Sequence, residues 1–374
     1  MIPIAKPYLT KEEAQAAYDV ILSGWVTQGP KVAEFEEKFA AYVGSNYAVA
    51  VSSCTTALHL ALVVAGIKQG DEVICPSMSF IATANAIVHA GAIPVFAEVN
   101  KHFNIDINHT KTLINQKTKA ILIVHQLGMP ADIDAFKSLC KEKNLILIED
   151  AACAIGSAYK GKKIGSHSDL VCFSFHPRKV ITTGDGGMIA TSNPEYYKRL
   201  KALRQHAMSI NDLERHKSDK ILTEEYPEVG YNYRMTDIQA AVGIKQLEKL
   251  DWIVNERRKI AYQYHEGLKQ CEYYDRPLEE DGYFSNYQSY ALTLKDFAPI
   301  KRDELMQKLL DKKITTRRGV MTAHTEKAYK NSSVVLPNSE MLSNLSIILP
   351  LYIGITENEQ KSVIDNLKVI GWNV

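Results

Sequence analysis

The sequence predicts an α/β protein in which a large domain, built on a mostly parallel central sheet flanked by helices, is followed by a smaller C-terminal α+β domain. Three observations predict it. Short β-branched runs alternate with amphipathic helical stretches over the first half of the chain, which is how successive βαβ units read in sequence. A chain of 374 residues exceeds what one compact core usually holds, so two domains are expected. From Thr236 to about Gln270, apolar residues recur at helical spacing with no proline, and Thr236 or Asp237 is a suitable N-cap. One helix of that length often bridges two domains, so the expected division is residues 1–245 and 246–374.

In order, YAVAVSS (47–53) reads as a strand and CTTALHLALVVAG (54–66) as the helix after it. DEVICP (71–76) and SFIATANAIVHAG (79–91) repeat the pattern, followed by the strands IPVFAEV (93–99) and KAILIVHQ (119–126). DIDAFKSLCKEKN (132–144) is a helix and LILIEDA (145–151) a strand whose continuous apolar run fits burial on both faces. An aromatic strand, Val171 to Phe175, comes next. After the long helix, YQSYALTL, KRDELMQKLLDKK, SIILPLY and TENEQKSVIDNLKVI compose the smaller unit.

Composition removes several classes of function. Forty-four basic residues against 43 acidic ones leave a formal charge of +1, which gives no reason to expect nucleic acid or an anionic membrane as partner. The N-terminal MIPIAKPYLTKEEAQ lacks an apolar signal region, so a cytoplasmic protein acting on a small molecule is expected. The six cysteines show neither paired CxxC spacing nor histidine-rich ligand spacing; reduced thiols, no disulfide and no metal are expected. Neither GxGxxG nor GxxxxGK[ST] follows any strand, which argues against dinucleotide and P-loop sites.

Lys179 follows the aromatic strand and precedes a turn with Gly184, Gly186 and Gly187. Most lysines are solvated, but burial among aromatic side chains would lower its pKa, and a neutral amine forms a Schiff base with an aldehyde. Asp150 ends a buried strand, where ligands of α/β sheets bind. A carboxylate there either caps the next segment or needs a cationic partner such as a protonated pyridine nitrogen. The junction VSSCTTALHLAL offers a helix N-terminus with hydroxyls at Ser52, Ser53, Thr55 and Thr56, suited to phosphate or merely to capping. Phe80, at the next strand-to-helix turn, either stacks on a cofactor ring or belongs to the core. Arg317, Arg318 and His324 form a basic cluster suited to a diphosphate or to a solvated turn. His176 and Arg178 either line the substrate side or hold the lysine loop.

Seven ordered blocks, LSGWVTQGPKVAEFEEKFAAYVG, VSSCTTALHLAL, GDEVICPSMSFIATANAI, LIEDAACAIGS, FSFHPRKVITTGDGG, EVGYNYRMTDIQAA and LPLYIGITENEQ, together resemble the DegT/DnrJ/EryC1/StrS family of sugar aminotransferases, over nearly the whole chain. The resemblance implies the fold type I architecture of aspartate aminotransferase and pyridoxal 5'-phosphate as cofactor. It implies that Lys179 holds the cofactor as an internal aldimine and that Asp150 bonds the pyridine nitrogen. It places Phe80 over the ring, Thr55, Thr56 and Ser174 at the phosphate, and Asn232 at the phosphate of a partner subunit, hence a homodimer with shared sites. Two positions depart from the family pattern: Cys54 stands where glycine is usual, and Cys153 where a glutamine usually lies near the cofactor's phenolic oxygen. Cysteine is a much weaker hydrogen-bond partner.

The implied reaction moves an amino group from L-glutamate to a keto-sugar carried by a nucleotide diphosphate, with the freed Lys179 amine as the base. The loop KVITTGDGG looks like that of members aminating C-4 of a 4-keto-6-deoxyhexose; 3-keto-sugar enzymes more often carry a loop resembling NLGALGDGG. Amination at C-3, a lysine-dependent enzyme acting only on amino acids, and a non-catalytic regulatory member of the fold are the competing readings.

Overall fold

The computed structural model describes residues 1–210, 219, 221, 223–330 and 333–369. The alternating segments form the strands β1 (Tyr47–Val51), β2 (Glu72–Pro76), β3 (Ile93–Ala97), β4 (Thr118–Val124) and β5 (Ile146–Asp150). A short hairpin, β6 (Ala158–Tyr159) and β7 (Lys162–Lys163), precedes β8 (Val171–Ser174) and β9 (Gly187–Thr191). Seven of these make one sheet in the order β1-β9-β8-β5-β4-β2-β3. Only β9 runs against the rest, pairing antiparallel with β1 and β8, so the sheet is mostly parallel. Its residues alternate between two apolar layers. Ile121 and Ile123 face a core with Phe35, Phe39, Phe136 and Phe173, whereas Leu122 and Ile148 face one with Leu58, Leu62 and Leu200. Both layers exclude water, which is why the strands read as continuous apolar runs.

The C-terminal part adds β10 (Tyr274–Asp275), β11 (Tyr283–Phe284), β12 (Tyr290–Leu294), β13 (Arg317–Arg318) and β14 (Ser346–Leu349). Four of them form an antiparallel sheet in the order β10-β12-β14-β13, with helices Arg302–Asp311 and Glu357–Val369 closing a separate core around Tyr264, Tyr290, Leu305 and Val363. Two features cross the expected division at residue 245. Ile2 bridges to Ile314 and buries its side chain in the C-terminal core, and β11 pairs with β6.

The single long helix expected from Thr236 is instead two, Asp237–Glu248 and Leu250–Gly267. Thr236 caps the first through a reciprocal box with Gln239. The break falls at Lys249, whose N–H bonds to the carbonyls of Gln246 and Leu247 rather than one turn further back. This tightening puts Leu250 into the core and lets the Lys249 ammonium reach Glu13 at 2.8 Å. Asp237 fixes this region to the N-terminal segment. Its carboxylate accepts from the backbone N–H groups of Gly29, Lys31 and Val32, the free donors at the start of helix Pro30–Val43. No helix among the described residues is long and apolar enough to cross a membrane.

Candidate active site

Parallel pairing brings the carboxyl ends of β4, β5 and β8 to one edge of the sheet. Asp150, the last residue of β5 and 5% exposed, lies there. Burial pushes its carboxyl above the ordinary range, while the Ala152 N–H, the Thr83 hydroxyl and the Lys179 charge pull the other way. Ala152 N donates to Oδ1 at 3.1 Å and Thr83 Oγ1 to Oδ2 at 2.9 Å. No cationic side chain hydrogen-bonds to it among the described residues, so its negative charge is only partly satisfied by the protein.

Lys179 sits in a turn closed by its own N–H to the His176 carbonyl, with Nζ donating to Cys153 Sγ at 3.2 Å. Burial disfavours the ammonium, in the direction the sequence suggests. The neighbouring Cys153, Asp150 and Cys54 outweigh it, however, and the amine lies above its ordinary value rather than below it. That corrects the expectation of a lowered pKa: the aromatic strand precedes the lysine, but the groups around its amine are acidic. Burial, with the Asp150 charge adding to it, drives the Cys54 thiol well above its usual range.

The phosphate candidates lie at the start of helix Cys54–Val64. Ser53 is its N-cap and exchanges a capping box with Thr56, so the Thr56 hydroxyl is engaged with Ser53. The Thr55 hydroxyl and the N–H groups of Cys54 and Thr55 have no partner among the described residues, which leaves donors and the positive helix end for an anion. Gly187, paired with Ser174 across β8 and β9, is needed there: a Cβ would come within 2.4 Å of the Ser53 carbonyl oxygen. Ser174 is buried and accepts from His176 N.

Phe80 is 64% exposed, which removes the reading of it as core. Asn232 is also exposed and accepts from Arg234 Nε; its chain neighbour Tyr233 takes the Ser52 N–H on its carbonyl, which brings this segment to the phosphate end. In the lysine loop, Arg178 is exposed and its carbonyl is held by Gln288 Nε2. His176 Nδ1 accepts from Arg178 N, so both residues help to hold the loop. The basic cluster does not stay together. Arg317 and Arg318 stand exposed on β13, whereas His324 is 3% exposed and bonds Ser77 Oγ at 2.6 Å and Glu340 Oε1 at 3.0 Å. A cavity of about 890 Å³ lies elsewhere, between residues such as Phe103 and Leu127 on one side and Tyr287 and Phe297 on the other.

The sequence reading missed Thr83 and Ser79, which stand behind Asp150; inside SFIAT they resemble ordinary capping residues. The observed donor set fits pyridoxal 5'-phosphate: an amine, a buried carboxylate lacking a cationic hydrogen-bond partner, free donors at a helix start and an exposed aromatic ring converge at one sheet edge.

Comparison with known proteins agrees. The profile of the DegT/DnrJ/EryC1/StrS aminotransferase family matches residues 7–368. The chain is 37% identical to the uncharacterized protein MJ1066 of Methanocaldococcus jannaschii over 375 residues, covering 99% of this chain and 97% of that one. Its fold superposes on DesV of S. venezuelae, solved in complex with a ketimine intermediate, with TM-score 0.91, 31% identity and coverage of 100% and 99% of the two chains. PseC of Helicobacter pylori, an aminotransferase involved in the biosynthesis of pseudoaminic acid, matches with TM-score 0.92, 27% identity and 99% coverage of both chains.

Proposed function

Because this chain belongs to the DegT/DnrJ/EryC1/StrS aminotransferase family, whose members are pyridoxal-phosphate-dependent sugar aminotransferases, we propose that it transfers the amino group of L-glutamate to C-4 of a nucleotide-linked 4-keto-6-deoxyhexose, as a cytoplasmic homodimer with shared sites. The observation that supports the catalytic part best is the buried Asp150 carboxylate without a cationic hydrogen-bond partner, near enough to the Lys179 amine for each charge to act on the other.

The cofactor, when bound, supplies an electron sink for the charge left at the donor's Cα. Each residue then has a definite task. Asp150 holds a proton on the pyridine nitrogen, because a buried carboxylate gains most from a cation placed against it. Lys179 would anchor the cofactor covalently and, once released, its amine would be the base that takes the Cα proton of the donor. Thr55, Ser174 and the free N–H groups at the start of Cys54–Val64 would bind the phosphate, joined by Asn232 from the partner subunit, while Thr56, whose hydroxyl and N–H are held by Ser53, would join them only by giving up that capping bond. Phe80 covers the ring, and Cys153 lies beside the lysine where its thiol adjusts the amine's protonation. His176, Arg178, Arg317 and His324 are the candidates for the sugar-nucleotide side; of these, the exposed Arg178 and Arg317 are the ones available to a diphosphate in this conformation.

Support for C-4 comes from the loop KVITTGDGG, which is tied directly to the lysine turn: Thr182 Oγ1 donates to the Phe175 carbonyl at 2.7 Å, and Gln239 Nε2 holds the Asp185 carbonyl at 2.8 Å. A loop fixed so close to the amine shapes how deeply a hexose enters. The test supplies the holoenzyme with L-glutamate and either a 4-keto or a 3-keto sugar nucleotide, and locates the new C–N bond by NMR. Amination at C-4 is expected; a product aminated only at C-3 overturns the regiochemistry, and no turnover with any keto-sugar overturns the substrate class.

A further inference from the structure

Resting on the role proposed for Asp150, we infer that Thr83, backed by Ser79, is a positioning residue that holds the Asp150 carboxylate in the orientation from which it meets the cofactor. All three side chains are buried, Thr83 at 2% and Ser79 at 3% exposure. Thr83 Oγ1 lies 2.9 Å from Asp150 Oδ2, and Ser79 Oγ lies 2.7 Å from Thr83 Oγ1.

The direction of this relay follows from chemistry. An ionised carboxylate only accepts, so the Thr83 proton is committed to Asp150 and the Thr83 oxygen must accept from Ser79. A threonine in the first turn of a helix ordinarily spends its hydroxyl on a local backbone carbonyl. Thr83 instead reaches a residue 67 positions away, while its own N–H bonds the Phe80 carbonyl. Its β-branched side chain is stiff about χ1, so helix Ala82–His89 presents the hydroxyl as a fixed donor. Asp150 is thus gripped on both oxygens, by Ala152 N on Oδ1 and by Thr83 on Oδ2. Rotation of the carboxyl, which is 5% exposed, would break one of two charge-assisted bonds.

Ser79 is itself anchored. Its N–H bonds the Ser77 carbonyl, and Ser77 Oγ contacts the buried His324, which bonds Glu340 of the C-terminal part. The orientation of Asp150 is therefore set from the helix side of the sheet and from the turn that precedes Phe80, independently of the lysine loop.

The test compares Thr83→Val, which keeps the shape and removes the hydroxyl, with Thr83→Ser, which keeps the hydroxyl, and with Ser79→Ala. Two readouts other than turnover are used: the 13C NMR titration of the Asp150 carboxyl in the cofactor-free protein, and the pH dependence of the bound cofactor's visible absorption in the holoenzyme. For Thr83→Val the Asp150 midpoint should rise by roughly one pH unit or more, as expected for loss of a hydrogen bond to a charged group, and the cofactor absorption titration should shift with it. Thr83→Ser should stay near the native curves, and Ser79→Ala should move both in the same sense by less. Native curves in Thr83→Val overturn the inference. If Thr83→Val does not fold, native curves in Ser79→Ala overturn it equally. Asp150→Asn separates the two levels: an unchanged absorption titration there refutes the role of Asp150 itself, whereas a shift there with none in Thr83→Val refutes only the positioning role.

Discussion

Replacement of Asp150 by asparagine should move stability and catalysis in opposite directions. Burial raises the carboxyl's folded-state pKa above its unfolded value. A group raised in this way is neutral and without cost at low pH, and weakens the fold as pH climbs through the folded value. At pH 7, above the unfolded value, the buried carboxyl is therefore a burden on the cofactor-free protein, which the neutral amide removes. Hydrogen bonding can adapt: the amide nitrogen can donate to Thr83 Oγ1, whose proton then turns to Ser79, while the amide oxygen keeps the Ala152 N–H. The melting temperature of the cofactor-free variant should be equal to or above that of the native chain. In the holoenzyme the same change should remove the charge-charge contact proposed between Asp150 and the cofactor. At about 4 Å, and with an effective dielectric constant of about 20, such a contact is worth about 4 kcal/mol, and about 4 kcal/mol in a barrier corresponds to roughly three orders of magnitude in rate. Scanning calorimetry of the cofactor-free protein and rapid mixing of the holoenzyme with L-glutamate measure the two effects. A rate within tenfold of native, or a melting temperature several degrees lower with the rate preserved, would make Asp150 a residue of the fold instead.

Other consequences are equally accessible. Lys179→Ala should fold but lose covalent attachment of the cofactor, seen as a protein that releases all cofactor on gel filtration after borohydride treatment; retained attachment would move the anchor elsewhere. Mixing inactive Lys179→Ala and Asn232→Asp chains should restore activity through hybrid dimers with one intact site, and no recovery after verified subunit exchange would place Asn232 outside a shared site. Cys153→Gln should keep activity while shifting the pH titration of the cofactor's absorption, since the Lys179 amine loses the neighbour that contributes most to raising its pKa; an unchanged titration would show that the thiol has no influence there. Burial opposes ionisation of Glu13, but bonds from Lys249, Gln246 and Thr10 outweigh it and hold the carboxyl at about 2. Its stabilisation should be complete above the usual carboxylate range and decline as pH falls from about 4.3 toward 2, a slope visible in denaturant titrations and shallower in Lys249→Met, where Gln246 and Thr10 still bond the carboxylate.

What the sequence made legible was whatever depends on strand periodicity and chain order. A continuous apolar run ending in Asp150 has to be a strand buried on both faces, and parallel pairing then brings its carboxyl end level with those of β4 and β8, so the sheet edge and the residues upon it follow. Pairwise contacts across the fold carry no such signal. Thr83 meets Asp150 across 67 residues and Ser77 meets His324 across 247, and each looks locally like a helix cap or a surface residue. His324 lies seven positions after Arg317, which invites their grouping as one basic cluster, but β13 leaves the arginines exposed and the turn that follows buries the histidine. The break at Lys249 was equally silent, because neither proline nor glycine marks it and the ammonium it exposes pairs with Glu13, 236 residues away. The reversed direction at Lys179 has the same origin. Burial of an amine is inferable from an aromatic strand, but the sign of its shift depends on which acidic groups the fold brings beside it. Cys153 and Cys54, the two positions that depart from the family pattern the sequence resemblance implies, are among those groups. Because both departures adjoin the amine that the proposed chemistry requires, they should alter when Lys179 gives up its proton more than whether the cofactor binds, and a pH profile will reveal their effect sooner than a binding constant will.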